Sequence, residues 1–559
     1  MTLTHDGHDT RELSRTAHDA WSLDVVTFAP EVAAPTGGSV TPQGTAGGKT
    51  YNYKVTAITD DPFEQSLPTA VLTTATGNAS LSDTNHNRVA WSAVSGAAKY
   101  DIYKDENGLY GYIGTTEALQ FDDTNYAVDL LVTPPKARDP FSGVNNRPGA
   151  VSYYEQRRLF GGTINKPDTW FSTRIGNKYN LTASSPTQDD DSITATLNAR
   201  EVNRIRHFLP MNDLLVFTSG AEWKINSGQD SAFGPSTVKQ KPQSEWGCSH
   251  VPPLLVGSDV MWVEGSGSYV FSATYALESD SYRGPDLTVL AKHLFDGYTI
   301  NEWTFAKMPR QIVHAVRSDG VALSLAFNRD QDVVAWTHWD TDGLYESVSS
   351  ARETLGTQYE DAVYFIVQRT VDGNTVRYIE RQHERHFTRI EDAFFVDCGL
   401  TYSGAAATVI SGLKHLEGKT VVALADGNVV SGLVVLNGAI TLPQAAILVH
   451  VGLPYVSDIE TLDIEAPQGT IQGKTKKVAD VTVRFEKSRG LMIGPSVDKL
   501  VPMKQREYEV MGAPTALLTG DKKIILKPDW NSNGRIFLRQ SDPLPMTILA
   551  VIPDLKVGG

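Results

Sequence analysis

The sequence predicts an all-β, multidomain fold with a β-propeller-like central body, on three observations. Residues 140–395 run as a long succession of short segments with apolar side chains at every second position. Gly, Asp-Gly and Pro interrupt these segments at short intervals, and helical periodicity is sparse, with Pro285–Phe295 its best candidate. Period-two alternation places one set of side chains on a single sheet face, and Asp-Gly supplies the left-handed backbone that tight hairpins require.

Along the chain, residues 1–30 form an N-terminal strand segment. Trp21-Ser-Leu-Asp-Val-Val-Thr-Phe28 alternates like a half-buried strand, and a single strand of that kind needs a sheet to complete. The expectation is that it joins a platform sheet, with the C-terminal segment as its candidate partner.

Residues 31–135 follow a Gly-rich entry and close at Pro134-Pro135. Thr50–Ile58 alternates as a strand, Val89–Lys104 gives two more about a Gly turn, and Gly111–Gly114 and Phe121–Asp123 finish the pattern. With Trp91 at a core position and Tyr100-x-Ile-Tyr103 on a strand, the block resembles a fibronectin type III β-sandwich. That resemblance implies a spacer or contact module.

Within 140–395, successive strands are expected at Ser318–Phe327, Val333–Trp339, Asp342–Val348, Ala362–Arg369 and Asp372–Arg381. Repeated meanders of this type suit propeller blades, although no repeat of strict period is present. Residues 396–478 change texture to a small β-barrel-like domain, and 479–559 give at least three further strands of a C-terminal platform segment.

At 559 residues the chain exceeds a single ordinary core, and roughly three to five domains are expected at about 150 residues each. Hydrophobic residues make up 41% and charged residues 21%, as in folded globular proteins. A formal charge of −15 argues against a sequence-independent grip on phosphates, which needs clustered Lys and Arg. It suits a soluble acidic surface or, more sharply, a channel wall that repels a sliding duplex. Two cysteines, Cys248 and Cys398, give neither a disulfide framework nor a four-ligand zinc set, and point to synthesis in the cytoplasm. No membrane-spanning segment or signal peptide is read from the sequence.

Several short signatures then occur in a fixed order: Glu155-Gln-Arg-Arg-Leu-Phe-Gly-Gly-Thr163, Asp213-Leu-Leu-Val-Phe-Thr218, Ser244-x-x-Gly-Cys-Ser249, Asp286-Leu-Thr288, the stretch from Pro309 to Asp319-Gly320, Ala335-Trp336, Asp342-Gly343 and Tyr378-Ile-Glu-Arg381, with Gly490–Pro495 beyond them. In this order they resemble the tail-nozzle (tail tubular B-like) proteins of short-tailed bacteriophages, over roughly residues 1–30 and 140–559. The resemblance implies a virion protein of the short tail, made in the host cytoplasm. It further implies a homo-hexamer whose ring closes and conducts the double-stranded DNA ejection channel. The implied neighbours are the tail adaptor (head-to-tail connector) ring and tail fibres or tip proteins. Residues 1–30 depart from the pattern, because in familiar nozzle proteins the matching segment lies inside the chain, after a β-rich domain. Either another protein supplies that domain or the start of the chain is shortened.

Candidate chemistry is thin, and the expectation is a structural protein with no enzymatic activity, cofactor or metal. His5-Asp-Gly-His-Asp9 has metal-binding residue types but lacks further ligands at suitable spacing. Asp189-Asp190-Asp191 reads as a solvated turn more readily than as a Ca²⁺ loop. Glu278 and Asp280 near Tyr282 and Arg283 are the nearest approach to a glycosidase pair, and no phosphate-binding Gly loop or nucleophile elbow occurs. The alternative function is a receptor-binding or glycan-degrading tail module. Charged residues inside apolar strands, Glu155, Arg157, Arg158, Arg377, Glu380, Arg381 and Arg385, are the candidate structural or interface ion pairs, since such charges are costly unless paired.

Overall fold

A computed structural model describes residues 1–558 apart from 46, 229–230, 277–280, 356–357, 385, 466–469 and 528–529. The architecture is all-β and multidomain, built of several small antiparallel sheets and one curled half-barrel sheet. Two compact units divide the chain, Met1–Ile300 and Asn301–Gly559.

The first unit opens with a three-stranded sheet of Thr2–His5, His8–Arg15 and Trp21–Val25. Trp21–Val25 therefore pairs with its own neighbour His8–Arg15, with Leu13 opposite Leu23 and Arg15 opposite Trp21. Two further sheets follow. One holds Lys49–Asp60 at its centre, flanked by Lys99–Glu106, Phe63–Gln65 and Leu72–Gly77, with Leu109–Thr116 outside; the other is Ser39–Gln43, His86–Ala90 and Gln120–Asp123. Tyr53, Val55, Ala57, Val89, Trp91, Tyr100, Ile102 and Ile113 fill the core common to them. A polar knot also lies inside: the buried Asp123 takes the Tyr53 hydroxyl at 2.7 Å and Lys104 at 2.7 Å.

Three four-stranded sheets complete this unit, each with its strands in sequence order. They are Ala150–Tyr154 to Thr194–Thr196, Ile205–Pro210 to Lys239–Ser244, and Leu254–Val256 to Ser281–Arg283. Sequential pairing is what short turns enforce, because a hairpin places the next strand beside the last. Leu159, Trp170, Ile205, Phe208, Leu214 and Trp223 join the first two of these sheets in one apolar cluster.

The expected helix at Pro285–Phe295 is not formed. Asp286 instead accepts the Thr288 amide at 2.7 Å, Leu287 donates to Val270 O, and only Lys292–Leu294 makes a 3-10 turn. Pairing with the preceding strand overrides a weak helical pattern.

The second unit continues the meander pattern with a sheet running from Ile300–Ala306 to Val333–Trp339, then Leu344–Leu355, Gln358–Val371 and Asn374–Arg381. Next comes the curled sheet, ordered Asp397–Ser411, Ala439–Leu453, Thr420–Ala425, Asn428–Val434. Its two 15-residue strands pair with three register shifts, and such bulges bend a sheet around its own core, here Ile410, Val421, Ala423, Ile440, Val449 and Val451. The chain closes with two small sheets, one centred on Lys476–Ser488 and the other on Phe537–Gln540 and Met492–Gly494. Among the described residues no helix is long and apolar enough to cross a membrane.

Candidate functional site

The expected Arg and Glu residues separate into several places, and the two most heavily buried of them, Arg157 and Arg158, lie in the first meander. Glu155 and Gln156 form the hairpin turn, both with positive φ (47° and 57°), and lead into Arg157–Gly161, all five residues of which are buried. Successive strand residues point to opposite faces, so the adjacent arginines are sent to opposite sides of one sheet.

Arg157 turns toward the loop 184–191. Its guanidinium donates to the carbonyls of Thr173 (2.9 Å), Asp191 (2.5 Å) and Asp189 (2.7 Å). Burial lowers its pKa to about 10, which leaves it cationic at neutral pH. Arg174, 1% exposed, braces the same loop: it reaches Asp190 Oδ2 at 2.5 Å, Asp191 Oδ1 at 2.7 Å and Ser184 Oγ at 3.1 Å. Asp191 is wholly buried and also accepts the amides of Ser184 (3.0 Å) and Gln188 (2.8 Å). Asp189 and Asp190 form the expected turn, with Asp189 exposed, but Asp191 is buried, and the carboxylates of Asp190 and Asp191 are committed to Arg174.

Arg158 turns the other way, toward the N-terminal sheet. Its guanidinium sits between the rings of Tyr153 (5.5 Å) and Tyr179 (5.1 Å), with Glu12 Oε1 at 3.5 Å. A desolvated cation over an aromatic face gains about 2 kcal/mol, which offsets part of the burial cost. Glu12 also accepts from the Tyr179 hydroxyl (2.7 Å) and Lys178 (3.2 Å). Burial opposes ionisation of Glu12, but these donors and the Arg158 charge outweigh it and hold the carboxyl below its usual range. Two more pairs join the same sheet to the body, Asp6 to Arg204 at 2.9 Å and Asp9 to Arg147 at 2.7 Å.

In the second unit the remaining charged residues pair across strands. Glu380 receives both Nε (2.5 Å) and Nη2 (2.7 Å) of the buried Arg369, which also approaches Asp397 at 3.3 Å and donates to Asp342 O at 3.0 Å. Burial works against the Arg369 cation, but the Glu380 and Asp397 carboxylates prevail and raise its pKa above the usual arginine value. Arg377 is bidentate to Glu346 (2.6 and 2.9 Å), and Arg381 reaches Glu353 at 3.0 Å. Glu155 makes no ion pair among the described residues, and Arg385 lies outside them.

Sequence reasoning missed Arg174, Arg369, Asp397, Asp6, Asp9 and Glu12. One signal was present: Arg369 closes the apolar run Ala362–Val367, where a charge needs a partner.

The chemistry these groups offer is ion pairing and hydrogen bonding. Burial pushes the Cys248 thiol up and that of Cys398 up to about 12, so neither is a thiolate nucleophile near neutrality. The rings of His5 and His8 meet at a tilt in the first hairpin, their centroids 5.2 Å apart, and the described residues contain no cluster of three or more His, Cys, Asp or Glu placed to hold a metal. Glu278 and Asp280 lie outside the described residues; Tyr282 is buried against Tyr275, and Arg283 receives support from Ser281.

No protein-family model matches the chain, and no curated protein matches it. Among solved structures, a protein from Lactobacillus plantarum aligns at 10% identity over 59% of this chain and 96% of its own, with a TM-score of 0.27. The periplasmic gluconolactonase of Pseudomonas aeruginosa aligns at 10% identity over 60% and 96%, with a TM-score of 0.27. Apo AztD from Citrobacter koseri aligns at 8% identity over 72% and 99%, with a TM-score of 0.26. Alignments this loose carry no argument about the chain's chemistry.

Proposed function

We propose that the chain is a structural subunit of a short-tailed phage tail nozzle, one of six in a ring that closes and conducts the DNA ejection channel. In this reading the meanders of residues 140–395 are blades of a propeller-like body, and residues 31–135 are a fibronectin III-like sandwich. The reading rests on the order of the sequence signatures. Support comes from their setting: Arg157 is buried against backbone carbonyls, Glu380 pairs with the buried Arg369, and Arg381 pairs across strands with Glu353. A conduit wall needs stiff sheets that resist deformation, and its acidic surplus of −15 keeps a duplex from adhering. Passage of double-stranded DNA, the adaptor ring and the fibres or tip are partners within the same proposal, as is the absence of turnover.

A second reading, a receptor-binding or glycan-degrading tail module, draws on a feature visible within one chain. The two sheets of 39–123 enclose their own core and leave Phe63 and Leu109 exposed, which suits a contact surface. Native mass measurement together with an assay on host polysaccharide separates the two. An inert particle of six subunits supports the nozzle; a monomer or trimer that releases reducing sugars contradicts it and supports the module.

A further inference from the structure

Four polar residues meet in the interior shared by the two sheets of residues 39–123. Register puts them there: Tyr53 stands opposite Lys104 in one sheet, and Asn87 opposite Asp123 in the other. Strand alternation turns all four toward the same core, since Tyr53 shares its face with Val55, Lys104 with Ile102, Asn87 with Val89 and Asp123 with Phe121, and these apolar partners belong to one cluster. Tyr53, Asn87 and Asp123 are 0% exposed and Lys104 8%, so bulk water is excluded.

Lys104 Nζ lies 2.7 Å from Asp123 Oδ2. A nitrogen in such contact with one carboxylate oxygen is about 3.5 Å from the carboxyl carbon, the separation of a near-attack arrangement. The Tyr53 hydroxyl donates to the same Oδ2 at 2.7 Å and accepts from Asn87 Nδ2 at 3.0 Å. Burial, then the Asp123 charge, raise the Tyr53 pKa, so this hydroxyl keeps its proton and serves as a donor. The other carboxylate oxygen, Oδ1, accepts the backbone amides of Asn125 (3.0 Å) and Tyr126 (3.2 Å). Asn87 Oδ1 is buried without a hydrogen-bond partner, so the knot is not saturated as an ion pair. An amine against a carboxyl carbon, with two N–H donors on one oxygen and a hydroxyl on the other, has the parts of an acyl-transfer site.

We propose that Lys104 and Asp123 join in an intramolecular amide (isopeptide) bond that ties the two sheets covalently. The step balances without a co-reactant. A proton passes from the ammonium to Oδ2, leaving a neutral amine and a carboxylic acid in a medium that solvates charges poorly. Nζ then attacks Cγ, and the negative charge gathering on Oδ1 falls on the amides of Asn125 and Tyr126. The bond from Cγ to Oδ2 breaks as that oxygen, held by the Tyr53 hydroxyl, takes a second proton from the nitrogen and leaves as water. Of the three ammonium protons two depart in the water and one stays on the amide nitrogen. Expulsion of the water from an apolar core opposes the reverse reaction. The inference is independent of the ring reading, because it concerns the interior of residues 39–123 alone.

The test is intact-mass spectrometry of the full chain in denaturant, followed by tandem mass spectrometry of its proteolytic peptides. The expected result is a chain one water lighter than its sequence mass, with the peptides of Lys104 and Asp123 recovered as one branched species. Lys104→Arg keeps the charge and removes the amine, and Asp123→Ala removes the acceptor carbon; each is expected at its full sequence mass. Tyr53→Phe keeps the ring and removes the hydroxyl, and is expected to lower the linked fraction by about tenfold or more at a fixed time after synthesis. A natural chain that stays at its full sequence mass on prolonged incubation, or a lighter one whose two peptides are recovered apart, overturns the proposal without any variant having to fold. A water deficit retained by Lys104→Arg overturns it as well, and a linked fraction unchanged by Tyr53→Phe overturns the part assigned to that hydroxyl.

Discussion

Asp191 shows how far a residue's setting can depart from its type. Asp is a turn former, and three in a row read as a solvated bend, yet Asp191 is fully buried with Arg174 at 2.7 Å and two backbone amides on its other oxygen. Its carboxylate is needed because Asn would present an amide group to donors. Asp191→Asn is expected to cost about 3–5 kcal/mol, as other broken buried pairs do, whereas Asp189→Asn, at an exposed position, should stay within about 0.5 kcal/mol. Denaturant midpoints of the two variants check this, and equal midpoints would contradict it. His207 supplies a pH dependence. Burial pushes its pKa down to about 4, aided by the nearby charges of His250 and Arg206, and a hydrogen bond to Ser249 O at 3.1 Å only partly compensates. The unfolded chain takes up the proton first, near pH 6.5, so stability present above that value is lost as pH falls toward 4. The loss is about 3 kcal/mol from the size of the shift. His207→Gln should flatten the melting curve between pH 7 and 4; an unaltered slope would contradict the assignment.

At the scale of elements, the turns were the most legible feature. Asp372-Gly373 and Asp426-Gly427 both close hairpins with positive φ at each position (49° and 75°, 45° and 74°), as Asp-Gly predicts. Val333–Trp339 is a strand over the span its alternation marks. Asp342-Gly343 was less informative, since it links one sheet to the next, and Gly343 does not take positive φ. The hairpin at Glu155-Gln156 was not legible as a tight turn, because neither residue favours the left-handed region that both adopt (φ 47° and 57°). Glu155→Asn with Gln156→Gly should therefore stabilise the first meander by about 1 kcal/mol. A melting temperature that fails to rise would show that the native turn is not strained. The buried arginines were visible only in part. Arg157 and Arg158 stood out as charges in a strand, but which face each served depends on what packs there, and Arg174, Asp191 and Glu12 come from segments 16 or more residues distant from one or the other.

For the whole molecule, the all-β character follows from composition and alternation, because period two admits no other regular structure. Sheet membership was harder to read. Trp21–Val25 looked like a strand seeking a distant platform, and it pairs with His8–Arg15, a segment whose charges hid its strand character. Nor is Trp21–Val25 half-buried as its alternation predicts, since all five of its residues are exposed. The proposed role is that of a wall element around a DNA conduit. Electron microscopy of the particle formed by the full chain decides it. Six copies, each of 61.0 kDa, enclosing an axial bore are the predicted result; a particle with no central opening, or a chain found only at the periphery of a tail away from the path of the genome, would contradict it.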